Sequence, residues 1–258
     1  MTSLTTRPAD YGTAFVTGAA SGIGRAVALL LAAHGVPVAA FDRDADGVAM
    51  LVDEIASGGG RSVGCVGDVR STPDVEGAFQ RGEVEFGPIR FAVANAAVGE
   101  PCALEDLDDA HYARFLDVNL GGTFRVCRVA GLRMRAADGG SIVTVGSALA
   151  FMGRSDFAAY SASKGGVISL TRALAAELAP TVRVNCVCPG LTDTPMTTLQ
   201  FAEADEPEDA RQSAADRIPL GRLGRPEEIA SAVVWLGGEG AAYATGSVVM
   251  MDGGISAI

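Results

Sequence analysis

Tyr160 and Lys164, in the run YSASK, are the pair whose types and spacing point most directly to chemistry. On a helix, residues four apart share a face, which places a phenol beside an ammonium. A phenol ionises near pH 10 and is a poor proton carrier at neutrality, and a neighbouring cation favours its phenolate. Bringing its pKa to about 7 takes roughly 4 kcal/mol. One cation about 4 Å away, at an effective dielectric near 20, supplies an interaction of that order as an upper bound. Composition sharpens the pair. Nineteen of the 20 basic residues are arginine, so Lys164 is the chain's single lysine. With four tyrosines in 258 positions, one randomly placed lysine falls four residues after a tyrosine only about 1.5% of the time. A bias toward arginine accounts for the other nineteen. At 164 it spares an ammonium, whose chemistry a guanidinium does not replace.

A second constellation lies near the start. The run TGAASGIG (17–24) follows the β-rich TAFVT (13–17) and leads into the helical RAVALLLAAHG. Gly18, Gly22 and Gly24, with Ser21 and Ile23 between them, allow a tight turn and close approach of backbone to a pyrophosphate. The helix start adds unpaired N–H groups and positive dipole. Asp42 stands eighteen residues after Gly24 at the end of the second β-rich run, where a carboxylate accepts the hydroxyls of an adenosine ribose. A 2′-phosphate would face that carboxylate with roughly -1.5 to -2 charges, so the expected cofactor is NAD rather than NADP. Ser21 stands where a phosphate-binding enzyme would carry a second basic group. Arg43 is either a counter-ion for a phosphate or a solvent-facing cover for the adenine. Asp68-Val69 and Asn95-Ala96-Ala97 are placed to reach the adenine and the second ribose, although Asp68 is equally well a helix N-cap.

These groups need elements to hold them. Seven β-rich runs, 13–17, 36–41, 61–66, 90–95, 140–145, 182–187 and 246–251, alternate with helix-length segments. Their near-continuous apolar character is that of parallel strands covered on both faces. Gly35 reads as a helix terminator, Ser71-Thr72-Pro73 as a helix start and Gly87-Pro88 as its end. The expected fold is α/β, a single-domain doubly wound Rossmann fold with a seven-stranded parallel sheet. The segment 197–217 departs from the alternation, with five acids in EADEPEDA (203–210). It is either a solvated surface loop or a lid, since it follows the carboxyl end of the sixth strand; the lid-like insertion is placed at about 195–217.

Composition excludes several roles. A net charge of -11 argues against binding nucleic acid, which requires clustered cations. The five cysteines, Cys65, Cys102, Cys127, Cys186 and Cys188, are scattered without a C-x-x-C pair, so neither a disulfide framework nor a metal site is expected, and a reducing cytoplasm is. The start MTSLTTRPADYGT has no basic and then apolar leader, and the apolar run 26–33 is far short of the ~18 residues of a membrane span. Neither export nor a membrane anchor is expected.

Taken together, TGAASGIG, Asp68-Val69, Asn95-Ala96, Asn119, Ser147, YSASK and Pro189-Gly190 resemble the short-chain dehydrogenase/reductase family, from about residue 11 to 254. The resemblance implies a catalytic tetrad. Tyr160 would be the general acid/base, Lys164 would lower its pKa and hold the nicotinamide ribose, Ser147 would hydrogen-bond the substrate oxygen, and Asn119 would anchor a proton-relaying water. It also implies that Pro189, Gly190, Thr192 and Thr194 surround the nicotinamide carboxamide, and that the assembly is a homotetramer. One departure is Ala94-Asn95-Ala96-Ala97 where the family has N-N-A-G; a small backbone adjustment is expected there. The implied activity is hydride transfer between NAD and a secondary alcohol or ketone.

Val98, Leu149, Phe151, Met152, Arg154, Phe157, Met196, Leu199 and Phe201 form an expected pocket for a cyclic, largely apolar substrate. Arg154 is either a partner for a substrate carboxylate or a surface residue. The alternative within the class is a reductase of 3-oxoacyl groups on an acyl carrier, with Arg125, Arg128, Arg133, Arg135 and Arg172 offered to an acidic partner. Outside the class, the alternative is a dinucleotide-binding module without chemistry.

Overall fold

A computed structural model of the chain describes residues 11–137, 139–202 and 206–257. Residues 1–10, read above for a leader, and 203–205, in the acidic stretch, lie outside them. Among the described residues seven strands form one sheet: β1 (Thr13–Thr17), β2 (Val38–Asp42), β3 (Ser62–Val66), β4 (Ile89–Ala94), β5 (Gly140–Val145), β6 (Val182–Pro189) and β7 (Val248–Met251). Their order is β3-β2-β1-β4-β5-β6-β7, and every pairing is parallel. The expected strands are all present, with ends shifted by one or two residues.

Two apolar layers cover the sheet, and alternation along each strand decides which layer a side chain enters. On one face Ala14, Val16, Val38 and Ala40 pack with α1 (Gly22–Ala33), α2 (Ala45–Ser57) and α9 (Pro226–Gly237). On the other, Phe15, Ala39 and Phe41 meet α3 (Thr72–Phe86), α5 (Gly122–Ala136) and α6 (Ala158–Leu178). Phe15 stacks on Phe79 with ring centroids 4.1 Å apart. The helix signals hold: Gly35 follows the C-cap of α1, Ser71 caps α3 by accepting from Asp74 N–H, and Gly87 is the C-cap of α3.

Strand order reverses between β1 and β4, opening a crevice at the carboxyl ends of those strands, where such sheets bind ligands. Asn95 closes it. Its backbone N–H donates to Thr17 Oγ1 at 3.0 Å, and its Nδ2 donates to the Thr17 and Gly18 carbonyls at 2.9 and 3.3 Å. After β6, the described part of the segment read as a loop or lid holds two short helices, α7 (Pro195–Phe201) and α8 (Pro207–Asp216). Each begins on a proline, whose fixed φ suits the first helical turn, a start signal that the acidic composition masked. The remaining short helix, α4 (Asp109–Phe115), runs into a π-helical segment, Leu116–Gly121, ahead of α5.

Candidate active site

The glycine turn joins β1 to α1 with Gly18 at φ +65°. A Cβ on Gly18 would lie 2.6 Å from Asn95 Nδ2, and one on Gly24 only 2.1 Å from the Gly18 carbonyl oxygen. Only hydrogen fits at either position. Ser21, the N-cap of α1, makes no side-chain capping bond, which leaves first-turn N–H groups available to an anion. Beside this turn lies a cleft of about 360 Å³ bordered by Gly18, Ser21, Gly22, Ile23, Asp42, Arg43, Asp68, Val69, Asn95, Ala96 and Thr194. Gly24 does not border it; it lets α1 pack against the turn.

Asp42 accepts the Ala20 and Asp44 N–H groups at 3.0 and 3.1 Å. Those bonds orient a carboxylate that keeps further lone pairs for ribose hydroxyls. Asp68 is not the N-cap of α3. It accepts the backbone N–H and the guanidinium of Arg70 at 2.6–2.9 Å, and this pairing holds its carboxyl below the usual range.

At the other end of the crevice, Ser147 leaves β5 and caps a 3-10 turn, accepting from Leu149 N–H at 3.1 Å. Tyr160 and Lys164 share a face of α6, with the ammonium 5.7 Å from the phenol ring centroid. Lys164 is buried, its Nζ donates to the Val145 carbonyl at 2.8 Å, and burial pulls its pKa down to about 8. Burial pushes the Tyr160 phenol above its ordinary value, while a hydrogen bond with Ser147 acts in the opposite sense. Asn119 is buried within the π-helical segment. It borders neither cavity, and both hydrogens of its amide are committed, to Val98 O and Ser163 Oγ at 3.0 Å. Its Oδ1 accepts from Val98 N–H at 2.8 Å. Its side chain therefore ties the loop after β4 to α6.

A family model described as enoyl-(acyl carrier protein) reductase matches residues 18–256. A cis-4-hydroxycyclohexanecarboxylate dehydrogenase of Sinomonas cyclohexanicum is 39% identical over 95% of this chain and 96% of its own length. The chain belongs to the short-chain dehydrogenase/reductase family. The 3-oxoacyl-(acyl-carrier-protein) reductase FabG of Thermotoga maritima is 36% identical, over 93% of this chain and 96% of its own. The crystal structure of a short-chain type dehydrogenase/reductase from Mycobacterium marinum superposes with a TM-score of 0.88 at 34% identity, covering 95% of this chain and 96% of that one. As a short-chain dehydrogenase/reductase, the protein is an oxidoreductase of secondary alcohols and ketones that uses a nicotinamide dinucleotide.

In this family member the substrate end is a second cavity of about 340 Å³, bordered by Ser147, Tyr160, Lys164, Pro189, Gly190, Thr192 and Thr194. Ile23, Asn95, Ala97, Thr194 and Met196 border both cavities, so the two adjoin. Of the expected apolar wall, Leu149, Met152, Arg154, Phe157 and Met196 are in place, and Val98 borders the dinucleotide cleft instead. Phe151 and Leu199 are exposed, and Phe201 is buried in a separate cluster with Ala215 and Leu223. The helical turn of α7 explains this: Met196 and Gln200, four apart, face the cavity and the residues between do not all follow. Sequence reading missed Thr197, Gln200, Ala214, Arg217 and Ile255. The 3.6-residue period of α7 was a usable signal for Gln200 once Met196 was chosen. Among the described residues no cluster of three His, Cys, Asp or Glu side chains is arranged to hold a metal, and no helix is long and apolar enough to cross a membrane.

Proposed function

We propose that this enzyme is an NAD-dependent dehydrogenase of cyclic, largely apolar secondary alcohols, acting reversibly on the ketones. The adjacency of the Ser147–Tyr160–Lys164 cavity to the cleft at the glycine turn carries this reading. The residues fit a dinucleotide. The cradle at Gly18 and Gly24 admits no Cβ, the start of α1 offers free donors, and Asp42 is oriented at the far end. When bound, the nicotinamide supplies the hydride acceptor or donor; the remaining work falls to the chain. Tyr160 takes the alcohol proton at its phenol oxygen or returns it, with Ser147 holding the same substrate oxygen. Lys164, fixed by the Val145 carbonyl 5.7 Å from the phenol ring centroid, would hold the nicotinamide ribose. Pro189, Gly190, Thr192 and Thr194 would hold the carboxamide. Asn119 positions α6 through Ser163, and α7 with α8 serve as a lid over the apolar wall.

Asp42 supports NAD over NADP by charge and by its fixed orientation. The Sinomonas relative's cyclic substrate supports the substrate class. The acyl-carrier alternative is favoured by the family model's description and the Thermotoga relative. Against it, Arg125 pairs with Asp117 and Arg133 with Glu83, which removes two of the five arginines offered to an acidic carrier. A homotetramer in a reducing cytoplasm completes the reading. Phe124 and Leu132 on α5 and Trp235 on α9 are exposed apolar side chains available to such contacts, and all five cysteines are free.

Turnover of cyclohexanol and cyclohexanone with both cofactors, beside a 3-oxoacyl thioester, tests this. The reading requires cyclic-alcohol oxidation with a kcat/KM at least about tenfold higher for NAD than NADP, and a comparable fall in that ratio in Asp42→Ser. Preferential reduction of the thioester with NADPH would replace it with the alternative.

A further inference from the structure

The substrate cavity carries a charge opposite to that of the molecule. The chain has 31 acidic and 20 basic residues, yet among the described residues no Asp or Glu borders this cavity, whereas Lys164, Arg154 and Arg217 do. Lys164 is committed to the Val145 carbonyl at the inner end. Arg154 precedes α6 and Arg217 is the C-cap of α8, and both are exposed residues on the cavity wall. Several arginines elsewhere in the chain are neutralised by acids, among them Arg25 with Glu54, Arg70 with Asp68, Arg125 with Asp117, Arg211 with Asp193 and Arg222 with Glu228. Neither Arg154 nor Arg217 has a carboxylate within ion-pair distance among the described residues. Asp156 attracts Arg154 without pairing with it, and Arg217 repels it.

Geometry ties Arg154 to the reacting end, and Arg217 borders the same cavity. The Arg154 guanidinium lies 4.5 Å over the Phe157 ring, and that ring meets Tyr160 edge-on with centroids 6.0 Å apart. A cation is thus held one aromatic ring away from the phenol, across an apolar stretch that includes Leu149 and Met152. Two like charges near one another repel, and an anion placed between them removes the repulsion while satisfying planar donors built for a carboxylate.

We propose that Arg154 and Arg217 form a carboxylate subsite, so that the substrate is a hydroxy acid or keto acid with an apolar body separating the carboxylate from the reacting carbon. This rests on the dehydrogenase reading of the same cavity and narrows it. The test uses binding of inert probes, cyclohexanecarboxylate and its neutral amide, measured by calorimetry with and without NADH. The acid should bind about tenfold more tightly than the amide, less so at high salt. That ratio should fall to about twofold or less in Arg154→Gln and in Arg217→Gln, while Arg154→Lys retains part of it.

Equal binding of acid and amide to the wild-type protein overturns the subsite whether or not any variant folds. If cyclohexanol is nonetheless oxidised with NAD, the dehydrogenase reading stands. An acid preference without turnover of any alcohol upholds the subsite and removes that reading. Tight binding of phosphopantetheine with no preference for the acid would assign the arginines to a carrier arm and overturn the proposal.

Discussion

Lys164 is 2% exposed, bonded to Val145 O, and the one ammonium side chain in a protein otherwise furnished with arginine. Its replacement by arginine puts a larger planar group where a single carbonyl is the partner, so Lys164→Arg should lose about 100-fold in kcat/KM, and Lys164→Met no less. Its titration gives an independent signature. With a folded pKa of about 8 against 10.5 unfolded, the amine is protonated in both states below pH 8 and its burial then destabilises the fold in full. Between pH 8 and 10.5 the unfolded chain holds more protons, so raising the pH favours the folded state. Melting temperatures of wild type and Lys164→Met should therefore converge, in wild type's favour, across that window; a constant difference would refute the buried ammonium. The Tyr160–Lys164 spacing and the lysine count made this pair legible in the sequence. The direction of the phenol's shift was not, because spacing reports which groups are neighbours and carries no measure of the water they lose.

At the scale of elements, the turn from β1 into α1 was readable because glycine type and position are dictated by contacts that no other residue makes. Gly24→Ala should cost about 1–3 kcal/mol of stability, since its Cβ would meet the Gly18 carbonyl at 2.1 Å. A lower melting temperature together with weakened NADH binding is the expected result, and an unperturbed variant would contradict the packing. Strand positions were equally legible from continuous apolar runs. The segment containing α7 and α8 was not: its charge density resembles a solvated loop, and what orders the described part is local, through Pro195, Thr194 accepting from Thr197 N–H, and Pro207. Phe201 shows the same limit, its phenyl ring entering a small cluster with Ala215 and Leu223 in place of the cavity. Asn119 was identified as functional, but its partners Val98 and Ser163 depend on a tertiary approach of two elements that a motif does not encode.

Across the whole molecule, the reversal of strand order between β1 and β4 brings scattered motifs to two adjoining cavities, with the glycine turn beside one and the phenol beside the other. The net charge of -11 and the cationic lining of the cavity lie in different places: overall charge disfavours polyanions, while Lys164, Arg154 and Arg217 border the cavity. The central claim is that a hydride crosses the crevice and that Tyr160 handles the accompanying proton. Its most direct measurement is deuterium transfer from a cyclic alcohol labelled at the carbinol carbon, followed by NMR of the nicotinamide product. Label should appear on one face of the reduced nicotinamide C4 with the wild-type enzyme, and at least about 1,000-fold more slowly with Tyr160→Phe although NADH still binds. Absence of label with wild type, or an equal transfer rate in Tyr160→Phe, would contradict the account.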